Sequence, residues 1–316
     1  MPPAQLDAYA RFVAEQKLPL WWQPDWLEAA SVESDGDWDV ALLEEDGELI
    51  AVWPYATYRK GPFTVLTNPP LTPRLGIAQT PIDGHASSQL IERRRRLGLL
   101  LEQLPKHSHL RQNFLPSYGS WQPLRWAGFA QTSRTTFVLD TADLRTVYDG
   151  LHGSLRRHLR AAENELQVFE HGGLVALYQL QQASFARQKL GIPYSLDLLM
   201  ALDGVAEAHG RRKLLFAADK QGQVIAGLYL IADAQAVTYL ASGLDPARKD
   251  SSAMPMLVWR GIEWAHELGL PFDFEGSDLE GVAEFFARFG GRAVSYHELW
   301  KTPSTAYRWL QTFKHG

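Results

Sequence analysis

The side chains best suited to proton transfer gather near the end of the chain. The stretch "FDFEGSDLEGVAEFFARFGG", Phe272 to Gly291, reads as a buried strand, a polar turn, a short helix and a glycine stop. Asp273, Glu275 and Ser277 stand at and just past the end of that strand. Carboxylates there are costly to desolvate unless they are paired or needed for proton transfer. Because strand side chains alternate, Asp273 and Glu275 are expected together on one face, toward a cavity or solvent, with Phe272 and Phe274 on the other. For Asp273 two readings stay open: a proton acceptor, or a structural group that caps a helix over 278–288 or pairs with an arginine. Glu275 is the better candidate base, since it lies past the aromatic core of the strand, where a partly exposed carboxylate exchanges protons.

Other chemistries leave no comparable pattern. There is no G-x-S-x-G elbow, no G-x-G-x-x-G loop, no Walker A sequence and no HExxH pair among the ten histidines, so no metal site is expected. The absence of cysteine excludes disulfides, thiolate metal sites and cysteine nucleophiles together. At 316 residues, 46% hydrophobic and 21% charged, with a net charge of -5, the chain reads as a soluble globular protein of two domains. The acidic balance argues against tight general nucleic-acid binding and leaves local basic patches open. The opening "MPPAQLDAYARFVAEQKLPLWW" lacks the pattern of a secretion signal, and no apolar run reaches membrane-spanning length. A cytoplasmic location is expected, and a peripheral contact with a membrane face would leave no trace in such a reading. Trp21, Trp22, Trp26 and Trp53 read as aromatic core or domain contact rather than a sugar-stacking platform.

The elements that must position the acidic stretch are organised as a repeat. "VALLEEDGELIAVWPY" (Val40 to Tyr55) aligns without gaps on "LFAADKQGQVIAGLYL" (Leu215 to Leu230), each a hairpin closed at Gly47 or Gly222. "LRWAGFAQTSRTTFVL" (Leu124 to Leu139) resembles "ARFGGRAVSYHELW" (Ala287 to Trp300) in the same order, each a helix end, a glycine break and a strand. A helix over 87–104 in the first half corresponds to "SAMPMLVWRGIEWAHELG" in the second, with Ser252 as its cap, Pro255 in its first turn and Gly269 as its stop. The second half reads as three helices, three strands (213–218, 223–232, 235–242), a helix, a strand (270–274), a helix and a strand (292–300). The fold class is therefore α/β, with a mixed α+β sheet and two related domains, 1–145 and 146–316, joined near 142–151.

This order resembles the GNAT acyltransferase fold, and the segment Asp273 to Gly291 is similar to the "D-aromatic-x-G-S … F-x-x-x-F-G-G" ending of FemAB-like and related double-GNAT proteins. "LHGSLRRHLRAAENEL" resembles the family's Arg-rich helix, with Arg156, Arg157, Arg160 and Ala161 in matching places. "SFARQKLGIPYS" (Ser184 to Ser195) and "NPPLTPRLGI" (Asn68 to Ile77) resemble its following helix and loop and its Pro-rich segment. The resemblance implies two tandem GNAT-like domains, with an acyl carrier lying between splayed strands 235–242 and 270–274. Asp273, Glu275 and Ser277 would border the reaction centre, and a carboxylate would accept the proton of the attacking ammonium. The amide following Tyr239 would stabilise the oxyanion. Tyr239 and Tyr296 would be acids toward a leaving thiolate, with core packing as the alternative for both.

The resemblance also points to a carrier loop and a donor. The family's Q/R-x-x-G-x-G/A loop falls on "ARKDSSAM", with Arg248, Ser251 and Ala253 in its first, fourth and sixth places and Ser252 between them. Serine stands where the first glycine would, and Asp250 adds a negative charge beside the expected phosphate. Phe286 stands where many FemAB-type chains carry lysine. The implied donor is a coenzyme A thioester or an aminoacyl-tRNA, and the acceptor an amine of a cell-envelope peptide-sugar precursor or similar molecule. Arg187 and Tyr194 are candidate acceptor contacts, with packing under the loop as the alternative for Tyr194. The clusters Arg156, Arg157, Arg160 and Arg211, Arg212, Lys213 would hold RNA or another anionic donor, or are solvated faces. Two functions follow: an N-acyltransferase, or a degenerate double-GNAT protein that binds a ligand or partner without catalysis.

Overall fold

The computed structural model describes residues 1–31, 37–119, 121–170, 172–187, 189–248 and 252–314. They form two compact units, Met1–Arg134 with Ser295–Gly316, and Thr135–Val294. The first begins with α1 (Pro3–Glu15), α2 (Pro24–Ser31), β1 (Asp37–Glu45), β2 (Glu48–Lys60), β3 (Phe63–Thr67), β4 (Ala78–Gln79), α3 (Ala86–Gln103), β5 (His109–Asn113) and α4 (Gln122–Trp126). The chain leaves it within β6 (Ala130–Leu139). The second unit continues with α5 (Leu144–Gly150), α6 (Gly153–Glu165), β7 (Gln167–Phe169), α7 (Gly173–Arg187), α8 (Leu196–Ala208), β8 (Arg212–Ala218), β9 (Val224–Ala232), β10 (Val237–Leu244), α9 (Ala253–Glu267), β11 (Phe272–Asp273) and α10 (Glu280–Ala287). Within β12 (Arg292–Lys301) the chain returns to the first unit, which ends in α11 (Thr305–Lys314).

The first unit's strands run β1, β2, β3, β5, β12, with β4 on β2, and β3 and β5 are parallel. Its core holds Trp53, Leu66, Leu100, Leu110, Phe114 and Leu299. A buried indole N–H needs an acceptor. Trp53 donates to Gln112 Oε1 at 2.6 Å, Trp21 and Trp22 both donate to the Arg74 carbonyl, and Trp26 donates to Thr72. These four tryptophans are buried structure, as the sequence suggested.

In the second unit the order is β6, β11, β10, β9, β8, β7. The uniform apolarity of "VIAGLYLIA" reflects the position of β9 at the middle of this sheet, covered on both faces. Ala226, Leu228 and Leu230 join the core that contains α6 and α9 residues, whereas Gly227 meets Leu177 of α7. Alternation along the strand therefore puts α9 on one face and α7 on the other. The fold is a mixed α/β sheet, and each unit has its glycine-closed hairpin, with Gly47 and Gly222 at φ +83° and +80°.

The unit boundaries differ from the division at 145/146. Val138 and Leu139 pair with Asp273 and Phe272, which draws the last part of β6 into the second unit. Glu298 to Lys301 pair with Asn113 to Leu110, which draws the chain's end into the first. Both pairings join residues more than 130 positions apart, beyond the reach of a linear division.

Candidate active site

The site is built on the parting of β10 from β11. These strands are parallel neighbours only at Val237/Phe272 and Thr238/Asp273. β11 then ends, while β10 runs on to Leu244, paired throughout with β9 on its other side. From Tyr239 onward that edge of β10 pairs with no strand among the described residues. At the same point β10 is bulged: Tyr239 opposes Leu230, Ala241 opposes Tyr229, and Leu240 is the extra residue. A parted strand pair offers backbone groups to an extended ligand, which can bond to them as a strand would. Ser184 of α7 bounds this edge at its far end, donating to the Leu244 carbonyl and accepting from the Leu244 amide. α7 approaches so closely that a Cβ on Gly243 would lie 2.6 Å from the Gln181 backbone nitrogen.

The chain beyond β11 explains why acids stand there. Asp273 is buried, and its Oδ1 accepts the Thr136 hydroxyl at 2.6 Å and the Glu275 amide at 2.8 Å. Its carboxylate therefore links β11 to β6 and to the following turn through Thr136 and a backbone amide. In that turn Glu275 has φ +64° and Gly276 φ +90°. Any side chain at Gly276 would collide with the Thr135 carbonyl, 2.3 Å from its Cβ. The expected shared face of Asp273 and Glu275 is corrected here, because the left-handed residue ends the strand before alternation reaches Glu275. Asp273 is thereby turned into the fold, and Glu275 stands half-buried in the turn. Ser277 Oγ accepts the Leu279 amide, shaping the entry to α10, whose span Glu280–Ala287 is shorter than the 278–288 read from sequence.

Facing this turn's core is the side-chain set of Tyr239. Its hydroxyl donates to Ser242 Oγ and approaches Met254 Sδ at 3.7 Å. Phe286 packs edge-on against the Tyr239 ring at 5.3 Å and lies 5.1 Å from the Phe274 ring. Phe286 is thus core, and a lysine there would bury its charge among rings. Burial in this apolar wall pushes the Tyr239 phenol up to about 12. It remains a proton donor throughout the neutral range. Ser242 carried no signal as a single residue; the Tyr-x-x-Ser spacing acquires meaning only through the bulge.

The other sequence candidates are distributed around this centre. Arg248 forms an ion pair with Asp219 at 2.8 Å, and Asp219 also accepts the amides of Gln221 and Gln223 in the β8–β9 turn. Ser252, at the start of α9, is buried with its hydroxyl against His158 Nδ1, and Ala253 is fully buried in the core. Ser251 and Asp250 lie outside the described residues. Arg187 is exposed at the end of α7. The Tyr194 carbonyl accepts the Tyr178 hydroxyl, and burial pushes the Tyr194 phenol up to about 12. Tyr296 belongs to the first unit, buried with the Arg74 guanidinium 5.2 Å above its ring.

Comparison with known proteins agrees with this geometry. The acetyltransferase (GNAT) domain family matches residues 151–285, which include the parted strands and both carboxylates. No curated protein matches the sequence. Among solved structures, FemX superposes with a TM-score of 0.68 at 13% identity, over 92% of this chain and 95% of that one. The C-terminal domain of a putative lysylphosphatidylglycerol synthetase from Agrobacterium fabrum gives 0.55 at 13%, over 98% and 95%. A tandem GNAT protein from the clavulanic acid biosynthesis pathway gives 0.52 at 11%, over 94% and 92%. At such identities the likeness is one of fold. Residues 151–285 thus match the acetyltransferase (GNAT) domain family, and the chain as a whole has a fold like those of FemX and the tandem GNAT protein.

Proposed function

We propose that the protein is an N-acyltransferase that moves an acyl or aminoacyl group onto an amine of a cell-envelope or similar precursor. The observation that carries this reading is the free edge of β10 with the Tyr239–Ser242 hydroxyl pair beside it. A carrier lying along that edge would present its acyl carbonyl near Tyr239 and the turn that follows β11. The amine nitrogen forms a bond to the carbonyl carbon, and the bond from that carbon to the carrier's sulfur or oxygen breaks. Glu275, directly or through water, takes the ammonium proton, and Tyr239 supplies one to the departing thiolate or alkoxide. The backbone amide following Tyr239 would stabilise the oxyanion.

One observation favours a donor other than a plain coenzyme A thioester, or a binding protein without turnover. Two candidate phosphate contacts are engaged internally, Arg248 by Asp219 and Ser252 by His158. The Arg248 pair is partly exposed and so weakly held. The test is incubation of the purified protein with radiolabelled acetyl-coenzyme A or aminoacyl-tRNA and a set of amine acceptors, alongside native mass spectrometry of the protein as isolated. Label in an amide product supports the transferase. Donor retention without any transfer would favour the binding protein.

A further inference from the structure

A cavity of about 420 Å³ lies in the second unit, bordered by α6, β7, β8 and α9. It is a different place from the parted strands. Met254 of α9 reaches the Tyr239 hydroxyl, whereas Met256, two residues and about 200° further round the same helix, lines the cavity. In the sheet, β9 separates β8, at the cavity floor, from β10. The volume falls in the range of about 300–1,000 Å³ common for small-molecule sites. Its floor is apolar, made by Leu166, Val168, Leu215, Met256 and the half-buried Trp264.

The charges around this floor select the ligand. Glu163, Glu170, Glu263 and Glu267 line the cavity against only Lys213 and Arg260. Both cations are already engaged, Lys213 with Glu170 at 3.2 Å and Arg260 with Glu263 at 2.9 Å. Glu163 and Glu267 have no ion pair among the described residues. The last turns of α6 and α9 both border the cavity, and helix C-termini carry partial negative charge, which adds to the attraction for a cation. A metal ion is the wrong cation, because among the described residues no three acidic or histidine side chains converge closely enough to hold one. An apolar floor beneath carboxylates suits an organic cation instead. The chain's own Lys213 shows how such a group is held: its ammonium, beside Glu170, lies 5.3 Å over the Trp264 ring.

We propose that this cavity binds a small organic amine, with its alkyl body on the apolar floor and its ammonium drawn to Glu163 and Glu267. This is independent of the acyl-transfer reading. The test is isothermal titration of the full chain with n-hexylammonium, and with 1-hexanol and hexanoate, which share its length without its positive charge. Hexylammonium is expected to bind, more weakly as salt is raised, and the other two to bind at least about fivefold more weakly. The Glu163→Gln/Glu267→Gln double variant should lose about fivefold in affinity for hexylammonium. It should keep its melting temperature, because both carboxylates are exposed. Glu275→Gln should bind hexylammonium as the wild type does. No binding by the wild type, or undiminished binding by the double variant, overturns the proposal. So does loss of binding in Glu275→Gln, which would place the amine at the acyl-transfer site, and so does a preference for hexanoate, which would assign the cavity to an anion held by Lys213 and Arg260.

Discussion

Tyr239 and Ser242 lie on the same face of β10 although three positions separate them, because Leu240 is an extra residue in the strand. Their partners on β9 are Leu230 and Leu228, two apart and so co-facial. In an unbulged strand the two hydroxyls would face opposite sides of the sheet. The bulge occurs where β11 stops pairing with β10, so one irregularity accompanies the free edge and places a proton donor beside it.

Tyr239→Phe is expected to reduce turnover by about 10²-fold or more if the phenol protonates the leaving group. Its cost in stability should be about 1 kcal/mol, the value of one hydrogen bond. The phenol is pushed up to about 12, so the acid is in its active, protonated form below that pH and is lost only above it. The wild-type rate should therefore show no alkaline fall attributable to Tyr239 between pH 7 and about 10. A pH–rate profile of both proteins checks this, and an alkaline limb missing from Tyr239→Phe would contradict it.

The two carboxylates should separate experimentally. Glu275→Gln is expected to cut turnover by about 10²–10⁴-fold with an unchanged melting temperature. Asp273→Asn should show itself first as lost stability, on the order of 1–3 kcal/mol, because the Oδ1 that accepts both the Thr136 hydroxyl and the Glu275 amide loses its charge. Denaturant melts and single-turnover rates for both variants decide between these roles. Full turnover in Glu275→Gln would pass the proton to water or another group.

Gly276→Ala should destabilise the second unit more than Gly222→Ala, although both glycines have positive φ. At Gly222 nothing lies within 4 Å of the new methyl, so the cost is the backbone's alone, about 1 kcal/mol. At Gly276 the methyl meets the Thr135 carbonyl at 2.3 Å, and the turn must move. Paired thermal melts measure the difference, and equal melting temperatures would count against this geometry.

His109 is expected to make the protein acid-sensitive. Burial, with help from Arg111, Lys60 and His107, pushes its imidazole down to about 4. The unfolded chain, with a pKa of about 6.5, binds a proton that the folded form refuses. The associated stability is present above about pH 6.5 and is lost as the pH falls toward about 4. Melting temperatures of wild type and His109→Gln should converge across that window, and parallel curves would remove His109 as the cause.

The elements and their order were legible from local pattern alone. "VIAGLYLIA" has to be a buried strand, the Gly47 and Gly222 turns close hairpins, and Ser252 to Gly269 delimits a helix, because these follow from periodicity, caps and glycine within a few residues of one another. Phe272 and Phe274 were legible as core for the same reason. Other features were decided by tertiary structure, since they depend on residues distant in the chain. That Asp273 accepts the hydroxyl of Thr136, 137 positions earlier, is a pairing that no local pattern records. The parting of β10 from β11, and with it the meaning of Tyr239 and Ser242, arises from which strands each can pair with, and no local pattern records that. The apolar spacing of Trp309, Leu310 and Phe313 was present in the sequence, but only the docking of Tyr307 on Phe63 and His109 shows which side of the helix is left uncovered. Local propensity fixes the elements; long-range pairing fixes which side chains meet, because that depends on contacts that form only once the chain has folded.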